Sequence, residues 1–366
     1  MIKVYMPVQV FSGKDCIENN IPVLEGLGKK ALLVTGFSSA VKSGAQEAVI
    51  RALESFGAAY KVFNEVEENP AVETCRRAGQ EGAAFGADLI IGIGGGSPMD
   101  AAKAVSVFAA DPGLSESDFY NKKWNGEPLP VILVGTTSGT GSEVTDVSVL
   151  TDSSGKKHSI HDPRLFARAA FGDPSFTLSV SQKTTLSTGL DILMHAIESY
   201  FSKRADTLSE VYSTAAVRKA FAPLLKAADE TLTFEDREAL YEASLLAGLA
   251  INIGGTVFPH NMGYYLTEQF GVPHGAACAA FLPDLLDHMK NTDKARLDRF
   301  YRETGLSEAA MAHLLEKTLP EMHFGMSEEE IDGILPRWES NNSVNNTRGG
   351  VSVQEVREIL MRRLGS

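Results

Sequence analysis

Ile91-Gly92-Ile93-Gly94-Gly95-Gly96-Ser97-Pro98-Met99-Asp100-Ala101-Ala102-Lys103-Ala104-Val105 (IGIGGGSPMDAAKAV) is the stretch on which the fold turns. An apolar run too short for a helix, Asp88 to Gly92, passes through three consecutive glycines into a segment of helical composition. Gly94, Gly95 and Gly96 let the backbone turn tightly and come close to a ligand. Ser97 reads as an N-cap, Pro98 as the first helical residue, and Asp100 completes an S-x-x-D pattern. A helix start of this kind offers free amide N–H groups and the positive end of the helix dipole, which suits a pyrophosphate. The spacing is not G-x-G-x-x-G, and no G-K-[ST] follows, so neither the common dinucleotide fingerprint nor a Walker A loop is present. A tight turn without a ligand is the alternative, which three consecutive glycines before a capped helix disfavour.

The flanking sequence extends this unit. Lys30 to Thr35 is strand-like and ends at Gly36; Gly44 to Phe56 reads as a helix, Ala58 to Phe63 as a strand, Val72 to Phe85 as a helix and Val131 to Gly135 as a strand. Such alternation predicts a parallel sheet with helices on both faces. A polar loop, Thr136-Thr137-Ser138-Gly139-Thr140-Gly141-Ser142-Glu143, follows the last strand. Ligands of open α/β sheets bind at the carboxyl ends of strands. That makes Thr136, Thr137, Thr140 and Ser142 candidates beside the glycines, Ser97 and Asp100, although a solvated loop would look the same.

After Asp173-Pro174 the pattern changes. Thr184–Phe201, Ser209–Lys226, Phe234–Ile253, Ala276–Met289 and Val353–Leu364 have helical period, with almost no strand signal between them. The chain's 366 residues are long for one core. The expectation is an α/β domain over residues 1–178, an all-helical domain over 179–366, and a ligand cleft between them.

A formal charge of −13 argues against a nucleic-acid partner and, more weakly, against anionic membranes. Cys16, Cys75 and Cys278 form an odd, scattered set without zinc-knuckle or disulfide spacing, which suits a reducing compartment such as the cytoplasm. The first residues, MIKVYMPVQVFSGKD, do not read as a signal peptide, and no run approaches the roughly 20 apolar residues of a membrane helix. The sequons at Asn341 and Asn345 read as chance matches in a polar loop.

In the helical half, Asp191 and His195 are four residues apart, which puts both on one helix face. Such a pair is usually a surface pair. His260 in GGTVFPHNMGYY and His274 in GVPHGAACAAF raise its weight, because one carboxylate and three imidazoles suit Fe(II) or Zn(II). His158, His161, His288, His313 and His323 read as surface residues. From Glu238 to Met289 there is no lysine or arginine, which favours a small neutral substrate over a phosphorylated one. Phe258, Tyr264, Tyr265 and Phe270 would suit an apolar wall, or simply core.

Together these residues resemble the iron-containing (type III) alcohol dehydrogenase family. The resemblance runs through EENPAVE around Asn69, GGGSPMDAAK, TTSGTGSEVT, STGLDILMHAIESY and the spacing of His260 and His274-Gly275. It implies a Rossmann-like parallel-sheet domain followed by an all-helical metal domain, a dehydroquinate-synthase-like architecture. It implies metal binding by Asp191, His195, His260 and His274, and cofactor contacts from Gly95, Gly96, Ser97, Thr136, Thr137 and Lys157, with Asn69 in a family motif. The implied reaction is hydride transfer between NAD(P)H and a small aldehyde, or the reverse from a primary alcohol, with a homodimer as the expected assembly. Two departures stand out. Many members carry a second histidine where this chain has Tyr264, so proton movement falls to that residue if to any. The segment His158 to Pro174 is also more basic than usual. Members with glycine at the position of Gly36 tend to use NADP, and members with aspartate use NAD. No acid lies between Glu25 and Glu47, while Ser38, Ser39 and Lys42 offer donors to a 2′-phosphate, so NADP(H) is the expected cofactor. A dehydroquinate-synthase-like lyase, a glycerol-dehydrogenase-like enzyme and a catalytically idle dinucleotide sensor are the alternatives.

Overall fold

A computed structural model describes residues 4–365. By compactness it divides into two units, residues 4–181 with 233–245, and residues 182–232 with 246–365.

The first unit carries all the described strands. They are β1 (Gln9–Ser12), β2 (Lys30–Gly36), β3 (Ala59–Val66), β4 (Leu89–Gly94), β5 (Val131–Gly135), β6 (Val147–Thr151), β7 (Lys157–His161) and β8 (Ala169–Gly172). Six form a parallel sheet in the order β1-β8-β5-β4-β2-β3, and β6 pairs antiparallel with β7. Side chains alternate between two cores. Leu32, Val34 and Ile90 enter one, and Ala31, Leu33, Leu89, Ile91 and Ile93 enter the other. Helices on both faces bury both sides, which is why the strands read as unbroken apolar runs. From β2 the chain runs outward to β3, then crosses back to β4 on the other side of β2. The carboxyl ends of β2 and β4 therefore flank a topological switch point, where open α/β sheets bind ligands.

The second unit is helical. The helix Gln182–Tyr200 is buried on every side from Gly189 onward. Its neighbours approach through glycines. A Cβ on Gly189 would fall 2.0 Å from Leu224 Cδ1, and one on Gly275 would fall 1.9 Å from the Ser187 carbonyl oxygen and 2.7 Å from Asp191 N. Gly263 meets Cys278 in the same way, with Sγ at 2.6 Å from its built Cβ. These close crossings bring the helix Phe258–Phe270, which carries His260, and the short helix His274–Ala279 in toward Asp191.

Several expectations need correction. Ala276–Met289 is two helices, His274–Ala279 and Leu282–Thr292, because Pro283 opens the second and the chain leaves helical geometry at Phe281. The helix after the glycines starts at Gly96 with Gly95 as its N-cap, so Ser97 lies inside it and caps nothing. His288 is buried, not on the surface; its Nδ1 is 2.6 Å from Glu355 and its Nε2 2.8 Å from the Arg348 carbonyl. Strands β1 and β8 and the β6–β7 hairpin carry no clear strand signal in the sequence, and the basic stretch from His158 to Pro174 begins in β7, passes through a short 3-10 turn at Pro163–Leu165 and continues through β8. No single described helix is long and apolar enough to cross a membrane.

The crossing at Gly275 gives a stability test. Gly275→Ala sets a methyl group against fixed backbone, so it should cost at least the ~1–3 kcal/mol of ordinary overpacking. Gly333→Ala meets nothing within 4 Å and should be neutral or stabilising. Thermal unfolding of both variants checks this, and equal midpoints would contradict the packing argument.

Candidate active site

At the switch point, glycine serves close approach. Gly94 has φ 154°, which side-chain-bearing residues avoid. Cβ atoms built on Gly95 and Gly96 would fall 2.9 Å from Thr137 Oγ1 and 2.6 Å from Thr140 Cγ2, so the polar loop lies directly against the glycine turn. Thr136 N–H donates to the Gly94 carbonyl at 2.8 Å. Asn69 sits at φ 56°; its N–H donates to Ser97 Oγ at 3.3 Å, and its carbonyl accepts from Thr151 Oγ1 at 2.9 Å. Lys157 is the register partner of Thr151 across the hairpin, so Asn69, Ser97 and the Thr151–Lys157 pair share one locality. Gly36 stands close by, with Ser39 Oγ 3.6 Å and Pro98 Cγ 3.8 Å from a Cβ built on it, while Ser38, Ser39 and Lys42 are exposed.

Asp100 faces inward. Its oxygens accept from Ser142 Oγ at 2.6 Å and from Val149 N–H at 3.0 Å. Lys103, fully buried, donates to the Ser142 carbonyl at 2.8 Å, Ser142 Oγ at 2.7 Å and the Val147 carbonyl at 2.7 Å. Burial lowers the Lys103 pKa and raises that of Asp100, and each charge opposes the other's shift. Deeper in the loop, the Glu143 carboxyl, raised by burial, accepts from the Tyr241 hydroxyl at 2.7 Å. Gly139 N–H donates to Ser244 Oγ at 2.9 Å. Lys103 and Tyr241 were not singled out in the sequence. A lysine within an apolar helical run was the available sign for the first.

In the helical unit, Asp191, His195, His260 and His274 come together. His195 Nε2 is 3.7 Å and His274 Nε2 3.9 Å from Asp191 Oδ1, and His274 Nε2 is 3.2 Å from His260 Nε2. The His195 and His260 rings stack with centroids 4.9 Å apart. Asp191 Oδ1 is buried and accepts no hydrogen bond among the described residues. Donors around a four-coordinate ion with bonds of about 2.0–2.1 Å lie ~3.3–3.4 Å apart. The observed spacings are of that order, and the donor set suits Fe(II) or Zn(II).

Two further residues join them. Cys278, four residues after His274 on the same helix, has Sγ 3.8 Å from both nitrogens of that ring. Ligand atoms of Asp191, His260, His274 and Cys278 all lie within 4.8 Å of one another. Burial pushes the Cys278 thiol up to about 11. Glu198 is fully buried beside His260; burial raises its carboxyl, and the His260 ring pulls it down. Tyr264 stacks on His274 at 5.1 Å and meets His260 edge-on at 5.4 Å. The other aromatic residues of the expected wall pack elsewhere, Phe258 against His288, Tyr265 against Trp338, and Phe270 against Tyr265 and Phe324.

Comparison with known proteins places this geometry in a family. The family description "Iron-containing alcohol dehydrogenase" matches residues 7–174, and "Fe-containing alcohol dehydrogenase family, C-terminal" matches residues 185–334. Long-chain-alcohol dehydrogenase 1 of Geobacillus thermodenitrificans is 32% identical over 361 residues, covering 96% of this chain and 87% of that one. The crystal structure of an iron-containing alcohol dehydrogenase from Thermotoga maritima superposes with a TM-score of 0.92 at 35% identity, over 100% of both chains. That of sulfoacetaldehyde reductase from Bifidobacterium kashiwanohense, in complex with NAD+, gives a TM-score of 0.91 at 28% identity, covering 100% of this chain and 99% of that one. The chain belongs to the iron-containing alcohol dehydrogenase family, a family of oxidoreductases.

Proposed function

We propose that this enzyme interconverts small primary alcohols and their aldehydes with NADP(H), at a site holding one divalent cation, Fe(II) in preference to Zn(II). The observation that carries the reading is the buried carboxylate oxygen of Asp191, without a hydrogen bond and ringed by imidazole nitrogens. Asp191, His195, His260 and His274 are the ligands in this reading. When bound, the cation polarises the substrate oxygen and the nicotinamide ring gives or takes the hydride.

The remaining roles belong to the chain. In this reading residues 1–178 are the dinucleotide domain and residues 179–366 the metal and substrate domain, except 233–245, which belong to the first compact unit. Gly94, Gly95, Gly96 and Ser97 receive the pyrophosphate. Asn69, Thr136, Thr137, Thr140 and Lys157 line the same strand ends, and Ser142, buried behind them and held by Asp100 and Lys103, serves the cofactor site by fixing the loop. Gly36, Ser38, Ser39 and Lys42 read the adenosine ribose. The absence of lysine and arginine from Glu238 to Met289 favours a neutral substrate and disfavours dehydroquinate-synthase-like chemistry. The four convergent donors disfavour an idle sensor. Tyr264, whose ring stacks on His274, is the residue that steers a proton to or from the substrate in this reading. A homodimer fits the outer edge of β1, a terminal strand of the sheet on which Val10 is exposed, since open strand edges invite pairing. Buried, unpaired Cys16, Cys75 and Cys278 suit the cytoplasm.

The function is tested by oxidation of NADPH with a short aldehyde, using metal-stripped protein with and without added ion. Turnover should depend on the ion and recover with Fe(II), and His274→Ala should lose metal and activity together. Undiminished turnover in stripped protein, or unchanged metal content in the variant, would overturn the assignment. Saturation curves should give NADPH a higher kcat/KM than NADH. Gly36→Asp, whose Cβ would meet only ordinary contacts of 3.4 Å and more, should shift the ratio toward NADH by repelling the 2′-phosphate. An unmoved ratio would mean that the 2′ position is read elsewhere. Tyr264→Phe should lower kcat and alter the pH–rate profile, and an unaltered rate and profile would exclude a proton role for its hydroxyl.

A further inference from the structure

We propose that Glu198 is a positioning residue of the cation site, holding His260 in the tautomer whose Nε2 lone pair faces the ion. The inference rests on the reading of Asp191, His195, His260 and His274 as ligands. Glu198 lies seven residues beyond Asp191 and three beyond His195, on the same stripe of the Gln182–Tyr200 helix. It is fully buried. Oε2 accepts from Val257 N–H at 2.8 Å, and Val257 is the N-cap of the helix that carries His260. One oxygen thus ties down the start of that helix.

The other oxygen meets the ring. Glu198 Oε1 is 3.5 Å from His260 Nδ1, and neither atom has a hydrogen-bond partner among the described residues. Two buried polar atoms that face only each other are costly unless a proton lies between them. A proton on Nδ1 answers this and leaves Nε2 as a lone-pair donor toward His274 Nε2, 3.2 Å away. The opposite tautomer would set the Nδ1 lone pair against the Glu198 oxygen and aim an N–H into the site. Carboxylates behind metal-bound imidazoles commonly fix tautomer and orientation in this way, and losing one typically costs about 10–100-fold in metal affinity.

Glu198→Gln separates this role from simple helix anchoring. The amide has one acceptor, which Val257 N–H takes, so its NH2 group faces His260 Nδ1 and favours the wrong tautomer. Zn(II) affinity, measured by chelator competition, should fall ~10–100-fold, and the visible spectrum of the Co(II)-loaded protein should change. Glu198→Asp keeps both acceptors and should lose less affinity than Glu198→Gln. Equal Zn(II) affinity in the wild type and Glu198→Gln would overturn the proposal. Nitrogen NMR of the Zn(II)-loaded wild type gives a second test without a variant: His260 should coordinate through Nε2 with Nδ1 protonated, and coordination through Nδ1 would also overturn it. If the wild type bound no Zn(II), or His274→Ala bound it as tightly as the wild type, the failure would lie instead with the ligand assignment.

Discussion

A carboxylate oxygen that is buried and accepts no hydrogen bond is an expensive thing to fold around. Asp191 Oδ1 is such an atom, and the helical unit is arranged about it. Gly275 brings the His274 backbone within contact of the Asp191 backbone, and Gly263 lets the His260 helix close on Cys278. A side chain at either glycine would push the donors apart. Close packing of small residues thus buries Asp191, His195 and His260 and leaves His274 partly exposed, and a divalent cation is the natural partner for one carboxylate and three imidazoles. Binding there also favours the folded state, because the unfolded chain holds no such site.

The α/β unit meets a different demand. A dinucleotide needs free backbone N–H groups and hydroxyls at a strand end, held still without being consumed. The Thr136-to-Glu143 loop is held from behind. Lys103 and Asp100 bind Ser142 and the start of the hairpin, Ser244 takes the Gly139 N–H, and Tyr241 donates to Glu143. These buried groups spend their hydrogen bonds on the loop's inner side. Gly95, Gly96, Ser97, Thr137 and Thr140 remain partly exposed. The positive charge of Lys103 is used for architecture and not for phosphate.

Much of this was legible in residue patterns, and the misses have physical causes. Val72–Phe85 and Val131–Gly135 coincide with their expected bounds because each is a strong periodic or apolar run closed by glycine. Strand β1 is short and mostly exposed, and β8 is Ala-Ala-Phe-Gly, so neither shows alternation or β-branched enrichment. Ser97 resembled a cap because the sequence does not reveal that the turn closes one residue earlier, at Gly95. The four metal candidates stood out as rare residue types in family motifs. Glu198 and Cys278 did not, since a single acid or thiol on an apolar helix acquires meaning only when another segment packs against it. His288 misled for the converse reason: its sequence neighbours are polar, but its own helix face is buried against Phe258 and Glu355.

The donors around Asp191 are arranged to hold a cation through imidazole and carboxylate. X-ray absorption of the iron-loaded protein tests this most directly. The nearest shell should be nitrogen and oxygen, with the outer-shell pattern of three imidazoles and no sulfur. A shell dominated by sulfur, or one without imidazole, would contradict it.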